Sequence, residues 1–234
     1  MPRLEWDKIG EHFYETGVDQ VVLYRLDANN AYTNGYAWNG VSAINESPSG
    51  ADSNPIFADN IKYLDLRSAE EFGATIECYT YPDEFAECNG EGTPAAGISV
   101  GQQTRQAFGL CFRSLIGNDV KGNDLGYKLH LIYGCTASPS ESNYSTVNDS
   151  PEAGTFSFEV TTVPVAVPGY KKAARITVDS RKFSAQKMTD LENLLYGTTV
   201  EGGEGTAPQL PTPEVVFTTL GLTFDSATNK WTAA

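Results

Sequence analysis

Histidine is scarce in this sequence, with only His12 and His130 among 234 residues. Two histidines cannot form a metal site unless carboxylates join them. The sequence also lacks a phosphate-binding glycine loop and a nucleophile-elbow pattern. The acidic group Asp83, Glu84 and Glu87 could hold a general acid and a base, but carboxylates this close in an acidic chain usually form a solvated loop. We therefore expect no enzyme activity, no metal and no cofactor.

Long apolar runs are also absent, and no stretch is long enough to span a membrane. The segment Met1–Asp7 lacks the apolar core of a signal peptide. We therefore expect synthesis in a reducing cytoplasm, where Cys78, Cys88, Cys111 and Cys135 remain free thiols. The spacings of these cysteines match no common zinc pattern, which favours their use as small buried apolar residues.

Positive charge is limited and unevenly distributed, and the net charge is −14. Residues 1–100 contain 17 acidic and 5 basic residues, whereas residues 101–234 contain 13 and 11. The overall sign argues against nucleic-acid binding, because phosphate would be repelled. Six basic residues lie close together in the sequence: Lys171, Lys172, Arg175, Arg181, Lys182 and Lys187. We expect this group to face acidic residues of another subunit, with a solvated surface as the alternative.

Alternation with a period of two predicts a mainly β fold. In residues 155–163 the apolar side chains are Phe156, Phe158 and Val160, and the polar ones are Ser157, Glu159 and Thr161. Residues 74–81 similarly place Glu77 opposite Ile76 and Cys78. Such strands belong to a sheet with one packed and one solvated side.

The other predicted elements follow from similar patterns. Strands are also predicted at 17–24, 36–44, 107–116, 127–133 and 173–179, and a helical turn at 68–71. Strands 127–133 and 155–163 are expected to be neighbours joined by a polar loop over 137–151. One helix is predicted over 184–196, where Ser184 can cap the start and Gly197 can end it.

The expected organisation is an N-terminal arm over 1–17, a β domain over 18–197, and a linker with a C-terminal arm over 198–234. Residues 45–60 form a long predicted loop that contains Ile56 and Phe57. An apolar pair on an exposed loop often marks a contact with another molecule. The alternative is a loop that folds back onto its own core.

Several short stretches carry a resemblance to a known family. They are FYETGVD (13–19) with VLY (22–24), AWNG (37–40) with NESPSG (45–50), ADNIKYL (58–64) with ATIE (74–77) and YPDEF (81–85), and NDSPE (148–152) with TFSFE (155–159). In their order and extent they resemble the major tail protein, or tail tube protein, of siphovirus-type bacteriophages.

This resemblance implies a β-sandwich-like barrel of the phage tail-tube type, with one flanking α-helix and long loops. Six copies would close a ring, and rings would stack into the virion tail tube that conducts DNA without binding it specifically. Tape measure, distal tail and terminator proteins would be partners. On this reading Ile56 and Phe57 reach the adjacent ring, and the wall of the channel is formed by Glu77, Ser157, Glu159 and Thr161. The alternative is that these polar faces look outward to solvent.

A carbohydrate-binding or glycan-hydrolysing β-sandwich is the alternative function. Trp6, Trp38 and Trp231 could stack on sugar rings. Three isolated tryptophans, however, more often pack in cores or interfaces.

Overall fold

The computed structural model describes residues 3–142, 144, 146, 153–199 and 205–233. The stretch 148–152 quoted for the resemblance lies outside the described residues, as do most of the polar loop after residue 142 and residues 200–204 of the predicted linker.

The described residues form a mainly β fold with a large antiparallel sheet, as predicted, and they contain two α-helices where the sequence predicts one. The helices are α1 (Ala185–Tyr196) and α2 (Pro213–Thr219). The strands are β1 (Phe13–Leu26), β2 (Tyr32–Ala37), β3 (Val41–Glu46), β4 (Ser49–Gly50), β5 (Ser53–Ala58), β6 (Ile61–Arg67), β7 (Glu70–Glu71), β8 (Gly73–Cys78), β9 (Gly92–Ala95), β10 (Ile98–Val100), β11 (Phe108–Asn118), β12 (Gly122–Ala137), β13 (Phe156–Thr162), β14 (Arg175–Asp179), β15 (Gln209–Leu210), β16 (Leu222–Asp225) and β17 (Lys230–Ala233).

The main sheet runs in the order β15-β2-β1-β11-β12-β13-β8-β3. Strand β12 has a fork along one edge, because Lys128–Ile132 pairs with β14 whereas Cys135–Ala137 pairs with β13. β12 and β13 are therefore neighbours, as predicted, but they pair through residues 135–137, beyond the predicted strand 127–133. The four smaller sheets of the described residues are two-stranded pairs: β4–β7, β5–β6, β9–β10 and β16–β17.

Gly134 lies at the fork of β12 and changes the side-chain alternation there. Ile132 and Cys135 face the same core although three positions separate them, which requires a bulge between them. Gly134 has φ +63, and a Cβ at this position would lie 2.1 Å from the carbonyl oxygen of Val163. Only glycine fits this backbone and this close approach.

Two hydrophobic cores lie on opposite faces of β1, β11 and β12. We call the first the sheet core; it contains side chains of these strands together with those of β8 and β13, such as Ile76 and Phe158. The second, the helix core, lies under α1 and α2. In β1, Leu23 points into the sheet core and Tyr24 into the helix core. Both faces of the central strands are therefore buried.

Helix α1 begins and ends as the sequence predicts. The Ser184 side chain accepts a hydrogen bond from the backbone N–H of Lys187, and Gly197 follows the last turn with φ +78. Met188, Leu191 and Leu195 are buried in the helix core. The helical turn predicted over 68–71 is wrong, because Glu70–Glu71 forms β7 and pairs with β4.

The predicted domain boundaries at residues 17 and 197 need correction. Residue 17 lies inside β1, so the strand begins within the predicted N-terminal arm. After residue 197, β15 pairs with β2, and Leu210, Val216 and Leu220 are buried in the helix core. The Tyr133 hydroxyl also donates a hydrogen bond to the carbonyl of Pro211 (2.9 Å). Much of the predicted C-terminal arm is therefore packed against the β domain.

The four cysteines are free and buried, as predicted. Burial raises the pKa of the Cys88 thiol to about 11 and that of the Cys111 thiol to about 12. Both thiols therefore remain protonated at neutral pH.

Candidate functional site

The segment between β3 and β8, residues 47–72, forms a projection that we call the arm. The prediction of an irregular loop over 45–60 is wrong here, because β5 and β6 pair as a hairpin. Asp59 and Asn60 form its turn, and both have positive φ angles of 50° and 62°. Two consecutive left-handed residues are the geometry of a tight hairpin turn, which Asp and Asn tolerate better than most side chains.

The two faces of the arm hairpin differ in composition, because one carries three aliphatic side chains and the other an ion pair. Ile56 pairs with Leu64, and Asn54 pairs with Leu66, on one face. On the other face the Lys62 ammonium donates to the Asp65 carboxylate at 2.9 Å. The register shifts between Ile56 and Phe57 because β6 contains one extra residue at this point, so Ile56 pairs with Leu64 and Phe57 pairs with Lys62. Phe57 therefore lies on the face that carries Lys62, opposite to Ile56.

The arm exposes a large apolar surface. Ile56 is 41% exposed and Phe57 is 68% exposed, so neither folds back onto a core. Four further exposed side chains are Ile61, Tyr63, Leu64 and Leu66. The hairpin pairs with no other strand in the described part of the chain. Because an isolated two-stranded hairpin is only marginally stable, this surface is suited to contact with a partner.

The four residues predicted to line a channel lie on adjacent strands of one sheet face. Ser157 pairs with Glu77 across β13 and β8, and Glu159 pairs with Thr75. Ser157, Glu159 and Thr161 are exposed, whereas Phe158 and Val160 between them are buried. The Glu77 carboxylate accepts a hydrogen bond from the Asn45 amide of β3 (3.1 Å). The predicted alternation is confirmed, and β3, β8 and β13 share a polar face.

The six basic residues do not form one surface. Lys171 and Lys172 precede β14, whereas Arg181 and Lys182 lie in a 3₁₀ turn beyond its other end, and Lys187 is on α1. Two members already have carboxylate partners within the chain: Arg175 pairs with Glu46, and Arg181 pairs with Asp179 at 2.7 Å. Contact of the basic group with another subunit stays a prediction. Arg175 and Arg181 would have to give up their carboxylate partners within the chain to make it.

A charged cleft of about 500 Å³ lies beside β3, β12 and β14. His130 projects from β12 and stacks on Phe112, with ring centroids 4.4 Å apart. Its Nε2 lies 2.9 Å from the Ser114 hydroxyl, and its Nδ1 lies 3.8 Å from the Glu46 carboxylate. Lys128 pairs with Glu15 on the same cleft.

Burial lowers the pKa of His130 to about 4, from an ordinary value of 6.5. Glu15 opposes this shift, whereas the nearby charges of Arg175 and Lys128 add to it. The imidazole is therefore neutral in the folded protein at neutral pH.

The pKa of His130 predicts that the protein loses stability in mild acid. Between about pH 6.5 and pH 4 the unfolded chain binds a proton that the folded chain does not, so the free energy of unfolding falls as pH falls. The full shift corresponds to about 3 kcal/mol. His130→Gln removes this titration and should flatten the dependence, as measured by urea unfolding at pH 7 and pH 4.5.

Gln106→Asn is the control, because Gln106 is exposed and neither amide titrates. It should retain the pH dependence of the unsubstituted protein. If the free energy of unfolding fell equally with pH in the unsubstituted protein and in His130→Gln, His130 would not be the group responsible.

The tryptophans offer little support for a carbohydrate site. Trp38 is buried in the sheet core, with its ring 4.5 Å from that of Phe85. Trp231 packs against Phe217 and Phe224, and its indole N–H donates to the carbonyl of Pro168 (2.8 Å). Of the three, Trp6 is freely exposed.

Asp83, Glu84 and Glu87 are not arranged as a paired general acid and base. Asp83 and Glu84 begin a 3₁₀ turn, whereas Glu87 is bonded to Arg25. Among the described residues, no cluster of three or more His, Cys, Asp or Glu side chains is arranged to hold a metal ion. The described helices are also too short and too polar to cross a membrane.

Comparison with protein-family models gave no match, and comparison with curated protein sequences gave none either. The surfaces themselves must therefore support any functional proposal. Sequence reasoning identified Ile56 and Phe57 but missed the second arm strand with Leu64 and Leu66. The Asp59-Asn60 pair between apolar residues is the signal that could have indicated the hairpin.

Proposed function

We propose that this chain is a structural, non-catalytic tail tube protein of a siphovirus-type bacteriophage. It polymerises as stacked hexameric rings in the virion tail, and DNA passes through the resulting channel. The observation that carries this proposal is the arm, an apolar hairpin that projects from the β domain and pairs only with itself in the described residues. The sequence resemblance supplies the class of assembly.

A projecting arm favours head-to-tail assembly over a closed symmetric dimer. When the arm of one copy binds a different surface of the next copy, each copy retains a free arm and a free acceptor surface. Such heterologous contacts repeat into rings or filaments. Ile56 and Phe57, with their neighbours on β6, form the contact between rings.

The sheet edge at β3 supports ring closure. In the described residues, β3 pairs with β8 on one side and is an end strand of the main sheet. Exposed sheet edges promote pairing with other chains, and a closed ring of paired sheets removes them. Pairing at this edge would join the polar faces of neighbouring copies into one continuous wall.

The polar face provides the chemistry of a DNA channel. Glu77 and Glu159 add negative charge, while Ser157 and Thr161 add neutral hydroxyl groups. Carboxylates repel phosphate and avoid ion pairs that would hold the duplex in place. Tape measure, distal tail and terminator proteins are the further partners that this assignment proposes.

Electron microscopy and sedimentation velocity of the purified full-length chain test the proposal. Across a range of salt and protein concentrations, rings or tubes are expected. A protein that remains monomeric under every condition would overturn the proposal. A tube structure also tests the channel, because Glu159 on the outer surface would remove it from the wall.

A further inference from the structure

One side chain contacts both chain segments at the base of the arm. The arm leaves the β domain after Glu46, the last residue of β3, and returns through Phe72 to Gly73 at the start of β8. Arg175, at the start of β14, forms an ion pair with the Glu46 carboxylate. Its guanidinium also lies over the ring of Phe72, 5.5 Å from the centroid. Arg175 therefore touches the outgoing and the returning strand together.

The other contacts at the base come from elsewhere in the sheet. The backbone N–H of Ser47 donates to the carbonyl of Gly73 (2.8 Å), which pairs the two segments with each other. The Thr162 hydroxyl of β13 donates to the carbonyl of Phe72 (2.6 Å). Both bonds lie within the branch of the sheet formed by β3, β8 and β13. Arg175 instead connects the arm base to β14, which occupies the other branch of the forked strand β12.

The Glu46 carboxylate lies between Arg175 and His130. Its other oxygen lies 3.8 Å from Nδ1 of the neutral His130, which is fixed by stacking on Phe112. Arg175 has two different partners, a carboxylate and an aromatic face, both of which suit a planar guanidinium better than an ammonium group. The arrangement thus constrains the arm base by charge and by shape.

We infer that Arg175 is a positioning residue that fixes the direction of the arm relative to the β domain. The arm hairpin pairs with no other strand among the described residues, so contacts nearer the base, together with the β4–β7 pairing, set where it points. The effect of Arg175 on polymerisation rests on the proposed function. Its effect on arm direction does not, because the relevant contacts lie within one chain.

Distance measurements between two spin labels test this inference. Ile61→Cys places a label on the arm and Thr189→Cys places one on α1, and both positions are exposed. The four native cysteines are buried, so labelling is selective. In dilute monomeric protein a single narrow distance distribution is expected. Arg175→Ala should lose it and give a broad distribution.

Two further variants separate arm positioning from general loss of charge. Arg181→Ala is the matched control, because Arg181 also pairs with a carboxylate of its own chain but does so at Asp179, away from the arm. It should keep the narrow distribution. Charge reversal by Glu46→Arg together with Arg175→Glu should restore much of the narrow distribution that Arg175→Glu alone loses.

The outcomes distinguish this inference from the proposed function. An unchanged distribution in Arg175→Ala overturns the inference, even if the protein forms tubes. A broadened distribution in a protein that never polymerises supports the inference and contradicts the proposed function. If Arg175→Ala unfolds, circular dichroism will reveal it, and the charge-reversal pair then provides the decisive comparison.

Discussion

The double substitution Ile56→Ser and Phe57→Ser is expected to leave a folded subunit that no longer polymerises. Both side chains are exposed on the arm and belong to neither core, so the free energy of unfolding should change by less than about 1 kcal/mol. In an assembly, each buried apolar side chain contributes about 1.5–3 kcal/mol, and the loss recurs at every contact. Sedimentation velocity measures assembly, and thermal unfolding measures the fold.

A second arm variant and a control sharpen this test. Leu64→Ser with Leu66→Ser alters the partner strand, on the face that carries Ile56, and should also block assembly. Ile98→Ser with Val100→Ser alters two side chains of comparable exposure on the β9–β10 hairpin, outside the arm, and should assemble normally. Normal tubes from both arm variants would exclude the arm as the contact between rings.

Gly134→Ala is expected to cause the largest loss of stability among single substitutions considered for this protein. The position has φ +63, and the added Cβ would approach the Val163 carbonyl oxygen to 2.1 Å. Relief requires a shift of the backbone at the fork, where β13 and β14 both join β12. The expected cost is about 2–4 kcal/mol, a large part of the stability of an ordinary domain. Urea unfolding measures it.

Gly101→Ala provides the control for Gly134→Ala. A Cβ at Gly101 would meet no heavy atom within 4 Å. Its substitution should change the free energy of unfolding by no more than about 0.5 kcal/mol. Equal effects of the two substitutions would show that the fork places no special demand on Gly134.

The features that the sequence predicts correctly depend on near neighbours. The alternation of 155–163 places Phe158 in the core and Glu159 in solvent because successive side chains of a strand point to opposite faces. Ser184 and Gly197 set the ends of α1 through contacts within a few residues. These patterns need no knowledge of the rest of the chain.

The features that the sequence does not predict depend on distant parts of the chain. Arg175 pairs with Glu46 across 129 positions, and no local pattern indicates it. β15 is only two residues long and is defined by its pairing with β2. The basic group is compact in sequence but divided in space, because the extended strand β14 separates Lys172 from Arg181. Proximity along the chain is therefore a poor guide to a shared surface here.

Because β5 and β6 pair with each other and with no other strand among the described residues, the arm can change its length without disturbing the two cores. Adding two residues to each strand preserves which side chains share a face, since the pattern repeats every second residue. Each added residue extends the reach by about 3.4 Å. A single insertion in one strand would instead shift the register and turn apolar side chains to the opposite face. Evolution could thus adjust the reach of the arm in steps of about 7 Å, while the β domain stays the same.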